Sequence, residues 1–126
     1  MKFLCLGYYN EKAFSALSEA EVNEVVRDCP IHDAALYATG KVIAVASLAA
    51  TKDSTSIRPR NGRPWITDGP FAETKEQIGA FFIIEAADMA EAVEIASKHP
   101  AALLGESVGW GVEIRPIDQE DIFSNA

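Results

Sequence analysis

Apolar positions recur along this chain with two rhythms, and their alternation predicts its elements. Residues 2–8, KFLCLGY, form a short apolar run and read as a first strand. The segment AFSALSEAEVNEVVRDC reads as loop into helix. Ser18 and Glu21 stand in capping-box relation, Leu17 and Val22 fit a hydrophobic staple, and Val22, Val25, Val26 and Cys29 recur at helical spacing. Pro30 lacks an N–H and crowds the carbonyl of Val26, so the helix bends or breaks there. A second helical piece, IHDAALYAT, ends at Gly40, a natural C-terminal cap. Residues 42–50, VIAVASLAA, read as a strand with apolar groups on both faces. In TSIRPRNGRPWIT, Asn61-Gly62 signals a type I′ hairpin over residues 55–67. A two-residue turn sets Arg58 opposite Trp65, Ile57 opposite Ile66 and Pro59 opposite Pro64. Facing prolines demand an edge position or an irregular arm.

Residues 78–86, IGAFFIIEA, carry the clearest strand pattern. Ile78, Ala80, Phe82 and Ile84 point one way, Phe81 and Ile83 the other. The few helices cover one side of a sheet, so the second face calls for a second sheet, most simply from a partner subunit. Asp88 and Glu91 cap the helix MAEAVEIASKH, whose thin stripe of Met89, Ala92, Val93 and Ala96 suits close approach to a sheet; Pro100 stops it. AALLGES is a turn or helical fragment, and residues 108–115, VGWGVEIR, are the last strand. Residues 119–126 form a polar tail in which Ile122 and Phe123 could clip onto the body or a partner. Strand, helix, strand, hairpin, strand, helix, strand describes an α+β sandwich of ferredoxin-like type with an added β-hairpin.

Composition narrows the function. The chain has 126 residues, enough for one domain, and 48% of them are hydrophobic, which argues against disorder. A formal charge of -8 makes direct nucleic-acid binding a poor main task, because that needs positive charge. Cys5 and Cys29 read as core thiols, without zinc or disulfide spacing. No apolar segment reads as a secretory signal or a membrane span, so a soluble, cytoplasmic protein with no membrane partner is expected.

The run DGPFAETKEQIG, from Asp68 to Gly79, resembles the signature of the YCII-related proteins, in their DGPF branch. ATGKVIAVASL, SIRPRNGRPWITDGPF, EAVEIASKHP and WGVEIRPI extend the resemblance over roughly residues 1–118. The resemblance implies a ferredoxin-like domain that pairs with a second copy, sheet to sheet, as a dimeric α/β barrel. It implies no settled reaction. Some relatives carry a His and an Asp proposed for a cleft, a few related domains act in dehalogenation or lactone chemistry, and the branch is associated with extracytoplasmic-function sigma factors. Cys29 stands where the enzyme-like relatives place their helix His, and His32 lies one turn nearer Gly40.

Against that background His32 and Asp68 are the catalytic candidates. His32 shares an inward stripe with Cys29 and Leu36, has Asp28 one turn behind it, and carries an imidazole, the side chain suited to general-base work. A core-edge His bonded to a carbonyl or to Asp28 is the plainer alternative. Asp68 either holds the Gly69-Pro70 turn through its own backbone or faces a cleft as carboxylate. Glu73, Lys75 and Glu76 follow closely, and Arg58, Arg60 and Arg63 come from the neighbouring hairpin. A network joining these arginines to Asp68 or Glu73 is expected; an arginine left over could grip a ligand carboxylate. Arg58, Glu73, Lys75 and Trp110 are thus the candidate ligand contacts. Trp110, flanked by Gly109 and Gly111, walls an apolar pocket or, more plainly, serves packing. His99 reads as a helix-end residue that compensates the dipole. No residue pattern calls for a metal, a nucleotide or another cofactor. Three functions follow: a protein that binds or transforms a small anionic organic molecule in a helix–sheet cleft; a regulatory or interaction module, linked to sigma-factor-dependent transcription through a protein partner; and a structural homodimer without ligand.

Overall fold

Residues 1–121 are described by a computed structural model. Strand β1 spans Lys2–Tyr9, and Asn10 caps a short helix α1 (Glu11–Ser15) by accepting the Ala13 N–H. Helix α2 (Glu19–Val26) starts at the expected capping box: the Glu21 N–H donates to Ser18 Oγ at 3.2 Å and the Ser18 N–H to Glu21 Oε1 at 3.0 Å. Helix α3 (Cys29–Tyr37) begins just before Pro30, whose missing N–H costs nothing in a first turn. Strand β2 is Val42–Ser47. The hairpin forms in the expected register: β3 (Thr55–Arg60) pairs with β4 (Arg63–Asp68), and Asn61 and Gly62 take φ of 52° and 73°, as a type I′ turn requires. Strand β5 (Gln77–Glu85) is followed by α4 (Met89–Ala96), α5 (Pro100–Leu103) and β6 (Gly111–Pro116).

One antiparallel sheet has the order β2-β5-β1-β6, the ferredoxin-like arrangement, while β3-β4 makes a separate two-stranded sheet. The helices cover one face of the larger sheet. Between them lie Phe3, Cys5, Leu36, Phe82, Ile84, Ala92 and Ala96, all buried, with Val42, Val112 and Ile114 at the margin. The small side chains of α4 let it settle onto β5 and β6.

The expected closure into a dimeric α/β barrel is overturned. Both sheets are open, and the larger one ends in β2 and β6. The inference from one strand's two apolar faces misjudged the sheet. Only the central strands present bulk on the far face, with Leu4, Leu6, Phe81 and Ile83 partly exposed there. Opposite them β2 places Ala44 and Ala46, and β6 places Glu113 and Arg115, so that face turns small or charged toward its edges.

Two local differences share one cause, an unforeseen irregularity. A bulge lies where Gly7 pairs with Ala80 but Tyr8 pairs with Ile78. The additional residue, Gly79, turns Ile78 to the face opposite Ala80. The last strand begins at Gly111, because Gly105 and Gly109, at φ of 71° and 72°, bracket a 3₁₀ turn over Glu106–Val108. Lys2 Nζ pairs with Glu120 at 2.7 Å at the start of the tail; Ile122 and Phe123 lie outside the described residues.

Candidate functional site

The DGPF turn is built from backbone and hydroxyl groups. The Gly69 N–H donates to the Ser54 carbonyl at 2.8 Å, and Ser56 Oγ donates to the Gly69 carbonyl at 2.7 Å. Gly69 has φ of 102°, which glycine tolerates. Asp68 is exposed, and among the described residues its carboxylate accepts no hydrogen bond, so the expected Asx arrangement is replaced by these two bonds. The expected arginine–carboxylate network is replaced as well. Arg58 donates from Nη2 to the Phe71 carbonyl at 2.9 Å and lies 3.7 Å above the Phe71 ring; Arg60 lies 4.4 Å from the Trp65 ring. An exposed guanidinium gains as much from a ring face as from a solvated carboxylate. Glu73 and Lys75 are exposed, and no described ion pair joins either to the arm.

The root of the arm is tied to the body by Glu11. Its carboxylate accepts from the Thr51 hydroxyl, from the Thr51 N–H at 2.9 Å and from the Tyr9 hydroxyl at 2.8 Å. Those donors, the Thr51 hydroxyl foremost, hold the carboxyl below its usual range. Burial, then the hydrogen bond to Glu11 and after it the Glu11 charge, push the Tyr9 phenol up to about 12. Tyr9 is therefore a fixed donor at neutral pH.

His32 lies partly buried on α3, a helix that packs chiefly against α5, and Asp68 ends the arm. No described hydrogen bond or ion pair joins the two. Cys29, one turn before Asp33, has its thiol raised by burial first and by Asp33 and Asp28 after it, so it stands protonated.

Trp110 occupies the corner that the two left-handed glycines create. Its ring sits where a side chain on Gly105 would be: an added Cβ would meet Trp110 Cδ2 at 2.2 Å. Phe14 lies beside it at 6.4 Å between centroids and meets Tyr9 edge-on at 6.0 Å. Two hollows share Trp110, Gly111 and Val112. One, of about 390 Å³, opens on Tyr8, Glu76 and Glu113. The other, of about 400 Å³, is a helix–sheet cleft: α4 supplies Val93, Ala96 and Ser97, α5 supplies Ala101 and Ala102, and β6 supplies Val112 and Ile114. No charged side chain is among that second lining. Of the residues expected to meet a ligand, Trp110 lines both hollows; His32, Asp68, Arg58, Glu73 and Lys75 line neither. A readable signal was present: alanines and glycines gathered around one tryptophan leave room beside its ring.

His99 differs from its expected role. It is 8% exposed, and its ring stacks on Phe82 at 4.4 Å with an interplanar angle of 1°. Its Nδ1 accepts the Ala101 N–H at 2.9 Å and so caps α5. An accepting Nδ1 is unprotonated, and burial lowers the ring's pKa from the usual 6.5, with the Asp33 charge pulling the other way. A neutral ring compensates no helix dipole.

Residues 1–117 match the YCII-related domain. The chain is 35% identical over 117 residues to the uncharacterized protein R00369 of Rhizobium meliloti (strain 1021), covering 93% of this chain and 92% of that protein. Among solved structures it is similar to 5-chloro-2-hydroxyhydroquinone dehydrochlorinase (TftG) from Burkholderia phenoliruptrix AC1100, in complex with 2,5-dihydroxybenzoquinone. That likeness has a TM-score of 0.43 and 18% identity over 90% of this chain and 91% of the other. No helix among the described residues is long and apolar enough to cross a membrane.

Proposed function

The chain belongs to the YCII-related family, and from that premise we propose that it binds a small organic molecule in the cleft between α4, α5 and β6, with Trp110 as the contact that orients it. The observation that carries the reading is the cleft itself, about 400 Å³ beside a tryptophan ring held from behind by Gly105. The hollow is open along one side, so a ligand would lie against the ring with its other face to solvent. Its lining selects an apolar, flat body, and Ser97 offers one polar contact. The arginines Arg58, Arg60 and Arg63 stand on the arm and not in this lining, so an anionic group on the ligand would find no cation among the lining side chains; the run Asp68–Phe71 supports assignment to the DGPF branch. A Trp65→Phe variant leaves Trp110 as the sole tryptophan. Its fluorescence is titrated with small aromatic alcohols, ketones and carboxylic acids, each acid beside its methyl ester. A saturable change with the ester at least equal to the acid is expected. No saturable change from any compound removes the cleft as a binding site.

A second reading, self-association of two open sheets, is favoured by Leu4, Leu6, Phe81 and Ile83 on the uncovered face. Light scattering across a dilution series tests it: a mass that stays at one chain, 13.6 kDa, sinks it.

A further inference from the structure

We propose that His99 is a proton-operated latch: its unprotonated Nδ1 holds α5 against the sheet, and protonation releases α5 and with it one wall of the cleft beside Trp110. The argument starts from the bond. Ala101 donates its N–H to Nδ1 at 2.9 Å. A proton on Nδ1 would set two donors against each other at that distance, and the bond cannot form. The ring is pinned in place by its stack on Phe82 and by its own backbone, whose N–H donates to the Ala96 carbonyl at 3.0 Å and whose carbonyl accepts the Ala102 N–H at 2.9 Å. It therefore cannot swing away while α5 stays docked. Helix α5 has four residues and this side-chain cap, so its own hydrogen bonds give it little independent hold. Two of those residues, Ala101 and Ala102, are cleft wall.

The groups around the ring favour the unprotonated state. Strand β5 presents the Phe82 ring, α5 presents a backbone donor, and α4 ends in backbone carbonyls, with the exposed Lys98 just past its cap. Among the described residues only Asp33, from α3, brings a negative charge toward the ring, and burial outweighs it. An imidazolium on a phenyl face keeps some attraction, yet it gains none with Ala101. The linkage sign follows. The folded pKa lies below the unfolded 6.5, so the unfolded or released state binds the proton more readily. The latch is fully held above pH 6.5 and is lost as pH falls from there through the folded pKa.

Closing of the cleft rests on the binding reading above, whereas the latch is measured without ligand. Amide exchange of Ala101 and Ala102 is followed by NMR on the whole chain between about pH 7.5 and about pH 5, as protection relative to the intrinsic rate. Protection should fall on the order of tenfold, and Asp33→Asn should deepen the loss and carry it to lower pH, because removing that charge lowers the folded pKa further. His99→Asn keeps a capping oxygen and removes the titration, so its protection should stay flat across the same range. A melting curve at the upper pH shows whether that variant folds. Wild-type protection that does not change with pH overturns the latch. So does a pH-dependent loss that persists in folded His99→Asn, since another group would then be responsible. A cleft that binds none of the titrated compounds leaves these exchange results standing and strikes only the binding reading.

Discussion

The arm and the Trp110 corner are made of the same materials and put them to opposite uses. Each has left-handed turn residues and one tryptophan. In the arm the turn opens onto solvent: a Cβ added to Gly62 would meet nothing within 4 Å, and Trp65 is half exposed beneath Arg60. In the corner the turn closes on a ring, and a Cβ at Gly105 would fall inside Trp110. Glycine answers a need of backbone conformation in the arm. In the corner it answers that need and leaves the space as well. An arm of this kind shapes itself and contributes little to the body, while the corner cannot change without moving helix, strand and cleft together.

Substitutions at the glycines break this contrast if it is mistaken. Gly105→Ala should have the largest effect, combining left-handed strain with displacement of the ring. A loss of about 3 kcal/mol is expected, seen as a fall in melting temperature of roughly 10 °C. Adding Trp110→Ala sharpens the test: in that background the glycine change should cost about 1 kcal/mol, and equal costs in both backgrounds would show that space plays no part. Gly109→Ala comes next. Its φ is 72° and its Cβ would lie 3.1 Å from that of Asn10, so about 2 kcal/mol is expected by denaturant titration. Gly62→Ala carries strain alone, about 1 kcal/mol, and confined to the arm. Amide shifts over residues 55–67 should move while the body melts at its original temperature. Arg58→Ala should be smallest, at most about 1 kcal/mol, because the Phe71 stack is exposed. Chemical shifts of Gly69 and Phe71 report it, and a drop in global stability would mean that the arm is not independent.

What could be read from the sequence is what neighbours in sequence decide. Asn61-Gly62 sets its own turn, and the register of six pairs follows from it. Ser18 with Glu21, and Asp88 with Glu91, make their caps within one turn of helix. The sheet order follows from element order and the ferredoxin-like topology. The rest depends on partners distant in the chain. The bulge at Gly79 answers to the Tyr9 ring, which an added Cβ would meet at 2.8 Å. His99 is buried because Phe82, in another element, offers a face to stack on. Of the candidate site, the glycines drew notice to Trp110, though the plainer reading gave it to packing. The cleft was not, since it exists only where α4 and α5 come to rest over β6. Arg58 was drawn toward Asp68 or Glu73 by counting charges, and the aromatic ring three residues after that aspartate was the partner overlooked.

The open sheet leaves its two rims unequal. The β6 rim carries Glu113, Arg115 and a terminal Pro116, which repel or block an incoming strand. The β2 rim reads VIAVAS, without a charge, and Ile43 and Val45 are 51% and 46% exposed. Its one safeguard is the register slip between Val42 and Ala44, where Ile43 has no counterpart on β5. A chain that adds a strand to this rim must match that slip, and by that argument one surplus residue works against templated pairing. Shortening β2 by Ile43 would straighten the rim and turn a stored solution of this acidic protein toward seeded aggregation.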